Sequence, residues 1–149
     1  MTAAREAEAR ATRANLGFLL AKGSQRWNEL LRERFVRAGY AEVRPSYGSL
    51  LLPLFEEDGL RMGELARRAR LSKQTMTTMV RVLEREGLVR RERDPDDGRA
   101  FRIVLTDKAE KFRPVAEQTL RELGALARAR LGQRRLEALK IDLKEWIDT

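Results

Sequence analysis

The 149 residues of this chain are enough for one compact domain, and a hydrophobic fraction of 42% is enough to build its core. The absence of Cys and His excludes disulfides, thiolate nucleophiles, Cys/His zinc sites and acid–base chemistry on an imidazole. A net charge of +8, with 25 Arg among the 31 basic residues, favours a polyanionic partner, either nucleic acid or anionic lipid. An arginine-rich genome or adaptation to heat would give the same composition.

The sequence has no feature of a membrane protein, a secreted protein or an enzyme. No stretch approaches the roughly 20 apolar residues of a membrane span, and the N-terminus lacks the apolar region of a signal peptide. P-loop, GxGxxG and GxSxG motifs are absent. We therefore expect a cytoplasmic protein that contacts no membrane, is not an enzyme, and needs neither a cofactor nor a metal.

The N-terminal third of the chain predicts two helices. Apolar residues at spacings of three, four and seven indicate one long helix from about Ala11 to Arg37, and the ten residues before it have no apolar anchor and are expected to fray. After the break AGYAEVRPS, Pro45 opens a second helix, for which Gly59 is a candidate left-handed cap. Its buried side is expected to hold Leu50, Leu51, Leu54 and Phe55.

The segment MGELARRARLSKQTMTTMVRVLEREGLV predicts two short helices with a tight turn between them. The first covers about Met62 to Ala69. Ser72 is a strong N-cap for the second, which covers about residues 72–86 and is closed by Gly87. Its apolar residues Met76, Met79, Val80 and Leu83 form one stripe at i, i+3, i+4 and i+7. The opposite, exposed side then carries Lys73, Gln74, Thr77, Thr78, Arg81 and Arg85.

The segments LVRRER and AFRIVL both have strand character, and the five turn-prone residues Asp94–Gly98 lie between them. This arrangement predicts a β-hairpin over about residues 89–105, with Arg99 at the far lip of its turn. Thr106 is expected to cap a long helix that ends at Gly132, and the last helix has an apolar stripe through Leu136, Leu139, Leu143 and Trp146.

Two short helices followed by a basic hairpin form the layout of a winged helix-turn-helix, whose second helix fits a major groove about 12 Å wide. In such a groove Gln74 could pair with adenine, Arg81 with guanine, and the methyl groups of Thr77 and Thr78 with thymine. Ser72 and Lys73 lie at the helix N-terminus, where phosphates bind. Residues 61–105 carry a net charge of +5, most of the chain's total. Arg99 could enter the minor groove, and Asp97 is expected to orient an arginine.

The stretch LSKQTMTTMVRVLEREGLVRRERDPDDGRAFRIVLTDKA resembles the core of the MarR family (multiple antibiotic resistance regulators). The similarity rests on Leu83-Glu84, Gly87-Leu88-Val89, Asp94 to Arg99, and Leu105-Thr106. It implies a homodimeric transcriptional regulator, usually a repressor, with a ligand pocket between its dimerisation and DNA-binding lobes and a wing arginine, here Arg99, in the minor groove. The family's peroxide sensors use Cys and its zinc sensors rely on His, so the absence of both residues excludes these mechanisms here.

The expected fold class is therefore mainly α with a small β-hairpin, arranged as two lobes. Residues 1–43 and 107–149 are expected to form a helical dimerisation lobe, and residues 44–106 a winged helix-turn-helix lobe that binds double-stranded DNA at a pseudo-palindromic operator. The homodimer interface is expected to use Leu16, Leu20, Trp27, Leu136, Leu139, Leu143 and Trp146. A small aromatic or anionic ligand could bind a pocket lined by Trp27, Tyr40, Arg44, Tyr47 and Phe55, unless these residues are ordinary core.

Two alternatives to a sequence-specific regulator remain open on the sequence. A nucleoid or architectural protein would bind DNA with little sequence preference. A protein–protein adaptor would use the winged helix only as a scaffold, although the concentration of positive charge on residues 61–105 argues against this.

Overall fold

The computed structural model describes residues 2–149 and confirms the expected fold class, a mainly helical chain with a small antiparallel sheet. The helices are α1 (Ala3–Arg13), α2 (Leu16–Arg37), α3 (Gly48–Glu56), α4 (Met62–Ala69), α5 (Lys73–Arg85), α6 (Asp107–Leu131) and α7 (Gln133–Ile147). A 3₁₀ turn at Pro45–Tyr47 leads into α3. The strands are β1 (Leu60–Arg61), β2 (Val89–Arg93) and β3 (Phe101–Leu105).

The helix-turn-helix formed by α4 and α5 has the predicted bounds because its ends carry strong local signals. The hydroxyl of Ser72 accepts a hydrogen bond from the Thr75 amide at 3.0 Å and so caps α5. At the other end Gly87 has φ +73°, a conformation that side chains rarely adopt, and the Leu88 amide donates to the Leu83 carbonyl at 2.9 Å. Between these caps Met76, Val80 and Leu83 are buried, and Met79 is partly buried.

The predicted hairpin of β2 and β3 is present, but it belongs to a three-stranded sheet in the order β1-β3-β2. Leu60 pairs with Ile103, and Val89 pairs with Leu105. Strand β1 has only two residues, too few for alternating polarity to be recognised in the sequence. It attaches the start of α4 to the outer edge of the hairpin.

The expectation of one unbroken helix from about Ala11 to Arg37 is wrong. The chain breaks after α1, and Asn15 starts α2 by accepting hydrogen bonds from the amides of Gly17 and Phe18 at 2.9 and 3.3 Å. An Asn side chain is a good N-cap, and this local interaction outweighs the continuous helical spacing. The first ten residues, expected to fray, are helical from Ala3 onward.

Helix α3 also ends differently from the prediction. Its last residue is Glu56, and Glu57 is already extended, so Gly59 is not the helix cap. Gly59 instead has φ +74° in the turn that leads into β1. The predicted buried side of α3 is confirmed, since Leu50, Leu51, Leu54 and Phe55 are all buried.

The terminal helices pack on the winged helix through a shared core. Helix α2 lies along α6, and the ring of Phe112 contacts Phe35 edge-on with centroids 4.9 Å apart and Tyr40 with centroids 5.1 Å apart. Residues of α2, α3, α4, α5, β3 and α6 join one hydrophobic cluster. The winged helix and the helices α2 and α6 therefore share one continuous core.

Within residues 2–149, every helix is too short or too polar to span a lipid bilayer.

Candidate nucleic-acid interface

Ion pairing divides the twelve basic residues of the segment 61–105 into two groups. Seven of them pair with acidic side chains, namely Arg61, Arg67, Arg68, Arg70, Arg90, Arg91 and Arg102. The five without an acidic partner among residues 2–149 are Lys73, Arg81, Arg85, Arg93 and Arg99, and all are exposed. These five lie on α5 or on the hairpin, so the uncompensated charge is concentrated on the two elements of a winged helix that face DNA.

The N-terminal turn of α5 brings together three of the predicted contact residues, Ser72, Lys73 and Gln74. Lys73 and Gln74 are exposed. The Ser72 hydroxyl caps the helix and also donates to the Thr75 hydroxyl at 2.8 Å, so it is already engaged within the chain. Lys73 is therefore the better candidate for a phosphate contact, and Ser72 contributes mainly to the stability of the helix.

The two threonines predicted to touch thymine differ in exposure. Thr78 is exposed, whereas Thr77 is half-buried. Each hydroxyl donates to the backbone carbonyl four residues earlier, Thr77 to Lys73 at 2.8 Å and Thr78 to Gln74 at 3.2 Å. With the hydroxyl protons engaged, the methyl group and the oxygen lone pairs are what these side chains can offer to a base edge.

An open groove of about 420 Å³ runs between α5 and the 3₁₀ turn before α3. Gln74 and Thr78 line it on the α5 side, and Ser46 and Tyr47 line it on the other. Tyr47, predicted for the ligand pocket, therefore lies beside helix α5. No sequence signal pointed to Ser46, because the proximity arises only when the 3₁₀ turn folds against α5.

The shape of the hairpin tip depends on Asp94, whose side chain is fully buried. Its carboxylate accepts hydrogen bonds from Arg61 Nε at 2.7 Å, Arg102 Nε at 3.2 Å and the Asp96 amide at 2.8 Å. Arg61 lies on β1 and Arg102 on β3, so this carboxylate joins two strands to the turn. The sequence alone does not reveal this role, because it depends on the pairing of β1 with β3.

The same contacts stabilise the ionised form of Asp94. The hydrogen bond from the Arg61 guanidinium, followed by the bond from the Asp96 amide, holds the pKa of the Asp94 carboxyl well below its ordinary value of 3.8. The carboxylate consequently stays charged and hydrogen-bonded throughout the neutral range.

Arg99 lies at the exposed tip, and its side chain has no hydrogen-bond partner within residues 2–149. The expectation that Asp97 orients an arginine is wrong, because its carboxylate bonds to no arginine side chain within residues 2–149. Its carboxylate accepts from the backbone amide of Arg99 at 3.0 Å, and its carbonyl accepts from the Ala100 amide at 3.0 Å. Asp97 thus supports the turn, and the Arg99 guanidinium remains available to a partner.

Arg93 was not predicted as a functional residue, but it holds the tip from the opposite strand. It donates to the Gly98 carbonyl at 2.6 Å, and its guanidinium lies over the ring of Phe101, 5.6 Å from the centroid. Phe101 is exposed although it begins the apolar alternation of β3. Its ring therefore serves as a platform for Arg93 on the outside of the hairpin.

The residues predicted for a ligand pocket do not come together. Arg44 and Phe55 line an apolar cavity of about 40 Å³ between α2, α3 and α6. Tyr40 packs on Phe112, and Trp27 is exposed on α2. The cavity is far smaller than the roughly 300 Å³ of small ligand pockets, so in this conformation it has room for little more than a water molecule.

The residues predicted for a dimer interface fall into three groups. Leu16, Trp27, Leu139 and Trp146 are exposed, with 38 to 56% of each residue accessible. Leu20 and Leu143 are half-buried. Leu136 is buried within the chain and is not accessible to a partner, since α7 folds back on α6 at that point. The terminal helices also expose Phe18, Leu19, Leu126, Ile141 and Ile147.

The sequence model of the MarR family matches residues 45–101. The HTH-type transcriptional regulator TtmR of Methylorubrum extorquens is 36% identical over 102 residues, which cover 68% of this chain and 52% of TtmR. The chain spans about half the length of the curated relatives that it matches.

Solved structures with the same fold align over most of the chain. A probable transcriptional regulator from Pseudomonas aeruginosa superposes with a TM-score of 0.78 at 25% identity, over 91% of this chain and 98% of that one. The transcriptional repressor CouR bound to a 23-mer DNA duplex superposes with a TM-score of 0.71 at 24% identity, over 89% and 92%.

Proposed function

Because this chain belongs to the MarR family, whose sequence model matches residues 45–101, we propose that it is a transcriptional regulator that binds double-stranded DNA at specific sequences. The observation that carries the proposal is the distribution of uncompensated charge. Within residues 61–105, the basic side chains of α5 all lack an acidic partner, as do Arg93 and Arg99 of the hairpin, whereas those of β1 and α4 are paired with carboxylates. The hairpin strands also carry three paired arginines, Arg90, Arg91 and Arg102, so the unpaired positive charge lies along α5 and near the hairpin tip.

Helix α5 is the proposed recognition helix, lying in the major groove. Gln74, Thr78 and Arg81 are exposed along it and offer an amide, a methyl group and a guanidinium to base edges. Lys73 contacts a phosphate from the first turn. Half-buried Thr77 contributes less than its exposed neighbour Thr78.

The hairpin is the proposed wing. Asp94 and Arg93 hold its tip in one shape, so the Arg99 side chain can enter the adjacent minor groove without a large loss of backbone entropy.

The active form is proposed to be a homodimer that acts as a repressor, with α1, α2, α6 and α7 as its dimerisation lobe. Support comes from the exposed apolar side chains of α2, α6 and α7, which include two tryptophans. Isolated exposed apolar residues are ordinary, but a set this large on adjacent helices indicates a protein–protein interface. The repressor role is proposed by analogy with CouR, which has the same fold.

A small organic ligand is the proposed signal, entering the cavity beside Arg44 and Phe55. Since this cavity is too small for an aromatic acid, binding would have to separate α3 from α2 and α6, and α3 packs against α4 of the helix-turn-helix. A gel-shift assay with phenolic acids, peroxide and zinc tests this route. Release of DNA by peroxide or micromolar zinc, with no effect of any organic compound, would contradict it.

The proposed reading of bases can be tested by alanine substitutions in α5. Gln74→Ala, Thr78→Ala and Arg81→Ala are each expected to cost about 1–3 kcal/mol on the selected DNA sequence and to relax preference at particular positions. Lys73→Ala should weaken binding to selected and random duplexes alike, because phosphates are the same in both. Equal losses on both duplexes for all four variants would show that α5 reads no bases.

A further inference from the structure

The start of α6 is attached to the residues that follow α5, Glu86 to Leu88, by three hydrogen bonds. Lys108 Nζ donates to the Glu86 carbonyl at 2.9 Å, and the Thr106 hydroxyl donates to the Gly87 carbonyl at 2.6 Å. The Thr106 amide donates to the Leu88 carbonyl at 3.1 Å. Carbonyls at a helix C-terminus have no partner within the helix, and an ammonium group placed there also interacts favourably with the helix dipole.

Lys108 reaches a third segment as well. Its ammonium lies 3.5 Å from a carboxylate oxygen of Glu42, in the connection between α2 and α3. One side chain therefore joins α6, the end of α5 and the connection that precedes the winged helix. Thr106 has a second task as the N-cap of α6, whereas Lys108 makes no other contact of this kind within residues 2–149.

The attachment lies at one end of α5, and because hydrogen bonds are directional, it can restrain the tilt of the helix. The buried stripe of Met76, Val80 and Leu83 fixes which side of α5 faces inward, but apolar contacts have no preferred direction. Helix α5 is about 20 Å long, so a tilt of roughly 10° about its C-terminal end moves its N-terminus by about 3 Å. A displacement of that size breaks any hydrogen bond made to a base.

We propose that Lys108 is a positioning residue, which holds α5 at the tilt required to read base edges without itself contacting a base. The inference rests on the proposed role of α5 in DNA recognition. It assigns to Lys108 a contribution to sequence discrimination, in contrast to the uniform contribution that any lysine near DNA makes through its charge.

The test compares Lys108→Met with Lys111→Met and Lys108→Arg. Lys111 is exposed one turn further along α6 and makes no ion pair or side-chain hydrogen bond within residues 2–149, so Lys111→Met removes the same charge without touching α5. Binding of the full chain to its selected DNA sequence and to a random duplex is measured by fluorescence anisotropy. For Lys108→Met we expect a roughly tenfold loss of affinity for the selected sequence, which is the effect of one charge-assisted hydrogen bond.

For Lys108→Met, the loss of affinity for the random duplex should match that of Lys111→Met. Lys108→Arg should retain most of the discrimination between the two duplexes, because a guanidinium can also donate to the Glu86 carbonyl. Equal losses on both duplexes for Lys108→Met, no larger than those of Lys111→Met, would overturn the proposal and reduce Lys108 to a surface charge.

A second measurement does not depend on DNA. Hydrogen exchange at the amides of Glu86, Gly87 and Leu88 reports the last turn of α5, and it should accelerate in Lys108→Met but not in Lys111→Met. If the wild-type chain selects no DNA sequence, the proposed function fails, while the exchange rates still decide whether Lys108 holds α5. Unchanged exchange in Lys108→Met would overturn the attachment itself.

Discussion

The carboxylate of Asp94 is buried between two arginines, so its charge and the order of the wing depend on each other. Its pKa in the folded chain is lower than the ordinary 3.8, chiefly because of the hydrogen bond from Arg61. A carboxyl of this kind contributes stability that is complete above its unfolded pKa and is lost as the pH falls towards its folded pKa.

Asp94→Asn removes the charge that both arginines face, so we expect a lower melting temperature at neutral pH. We also expect a shallower decline of the melting temperature between about pH 4 and pH 2 than in the wild type, since the titrating group is gone. Thermal unfolding followed by circular dichroism across that range measures both effects. Asp142→Asn, at an exposed residue with no ion pair within residues 2–149, is the control. If the melting temperature of Asp94→Asn fell with pH in parallel with that of the wild type, the Asp94 carboxylate would not be the group that stabilises the fold in this range.

Arg99→Ala should weaken binding to the selected sequence by about 1–2 kcal/mol, the range for a contact made by a charged donor. Because the side chain has no partner within residues 2–149, the melting temperature should not change. The loss should be larger where the flanking DNA is A/T-rich, since narrow minor grooves attract arginine. Arg32→Ala, which removes an exposed and unpaired arginine from α2, is the control. An affinity equal to that of the control would show that the hairpin tip is a solvated turn that does not contact DNA.

At the scale of single residues, the sequence predicted exposure well and partners poorly. Helical periodicity correctly placed Gln74, Thr78 and Arg81 on the open side of α5, because that side follows from the spacing of the buried residues alone. The sequence could not show that Arg85 and Arg93 lack acidic partners within residues 2–149. The sequence also led us to expect that Asp97 orients an arginine, whereas Asp94 is the residue that pairs with arginines, since ion pairs between strands depend on sheet register.

Helix α5 and strand β2 are joined through a single left-handed residue, Gly87, which has open space around its α-carbon. Gly87→Ala should therefore destabilise the fold through backbone strain alone, by about 1–2 kcal/mol. Gly98→Ala offers a matched control, because Gly98 also has open space but does not have a positive φ. Chemical denaturation of both variants measures the difference, and equal stability would show that no strain exists at Gly87.

Among the helices and strands, the sequence correctly predicted those whose ends carry a strong capping or turn residue. Ser72 and Gly87 fixed α5, and turn residues fixed the hairpin, because caps and turns are local interactions. The break at Asn15 was missed because the helical spacing of apolar residues continues across it. Strand β1 was missed because two residues carry no periodicity, and their pairing with β3 is a long-range contact.

The sequence was least informative about how the elements assemble in the whole molecule, as the ligand cavity and the packing of α7 show. Aromatic content suggested one pocket for Trp27, Tyr40, Tyr47 and Phe55, but the fold distributes these side chains over different surfaces. The stripe of α7 was predicted to form one seam, yet Leu136 is buried against its own chain and Trp146 is exposed. Periodicity identifies an apolar face but not what covers it.

If the exposed faces of the terminal helices form a homodimer, charges placed there should separate the protomers. We expect the wild type to sediment as a dimer at micromolar concentration, and Leu139→Asp combined with Trp146→Asp to sediment as a monomer, since burying unpaired carboxylates is costly. Phe101→Asp, on the exposed face of the wing, should remain dimeric. A monomeric wild type would contradict the proposed assembly.

Selection of bound sequences from a random duplex library, using the full chain, shows most directly whether the protein is a sequence-specific DNA-binding regulator. We expect enrichment of a pseudo-palindrome whose half-site centres lie about 34–36 Å apart, or a multiple of this, because two α5 helices related by a two-fold axis enter major grooves on one face of the duplex. Binding without enrichment of any sequence would contradict specific recognition and favour an architectural role. Enrichment of a single half-site without a symmetric partner would contradict the dimer.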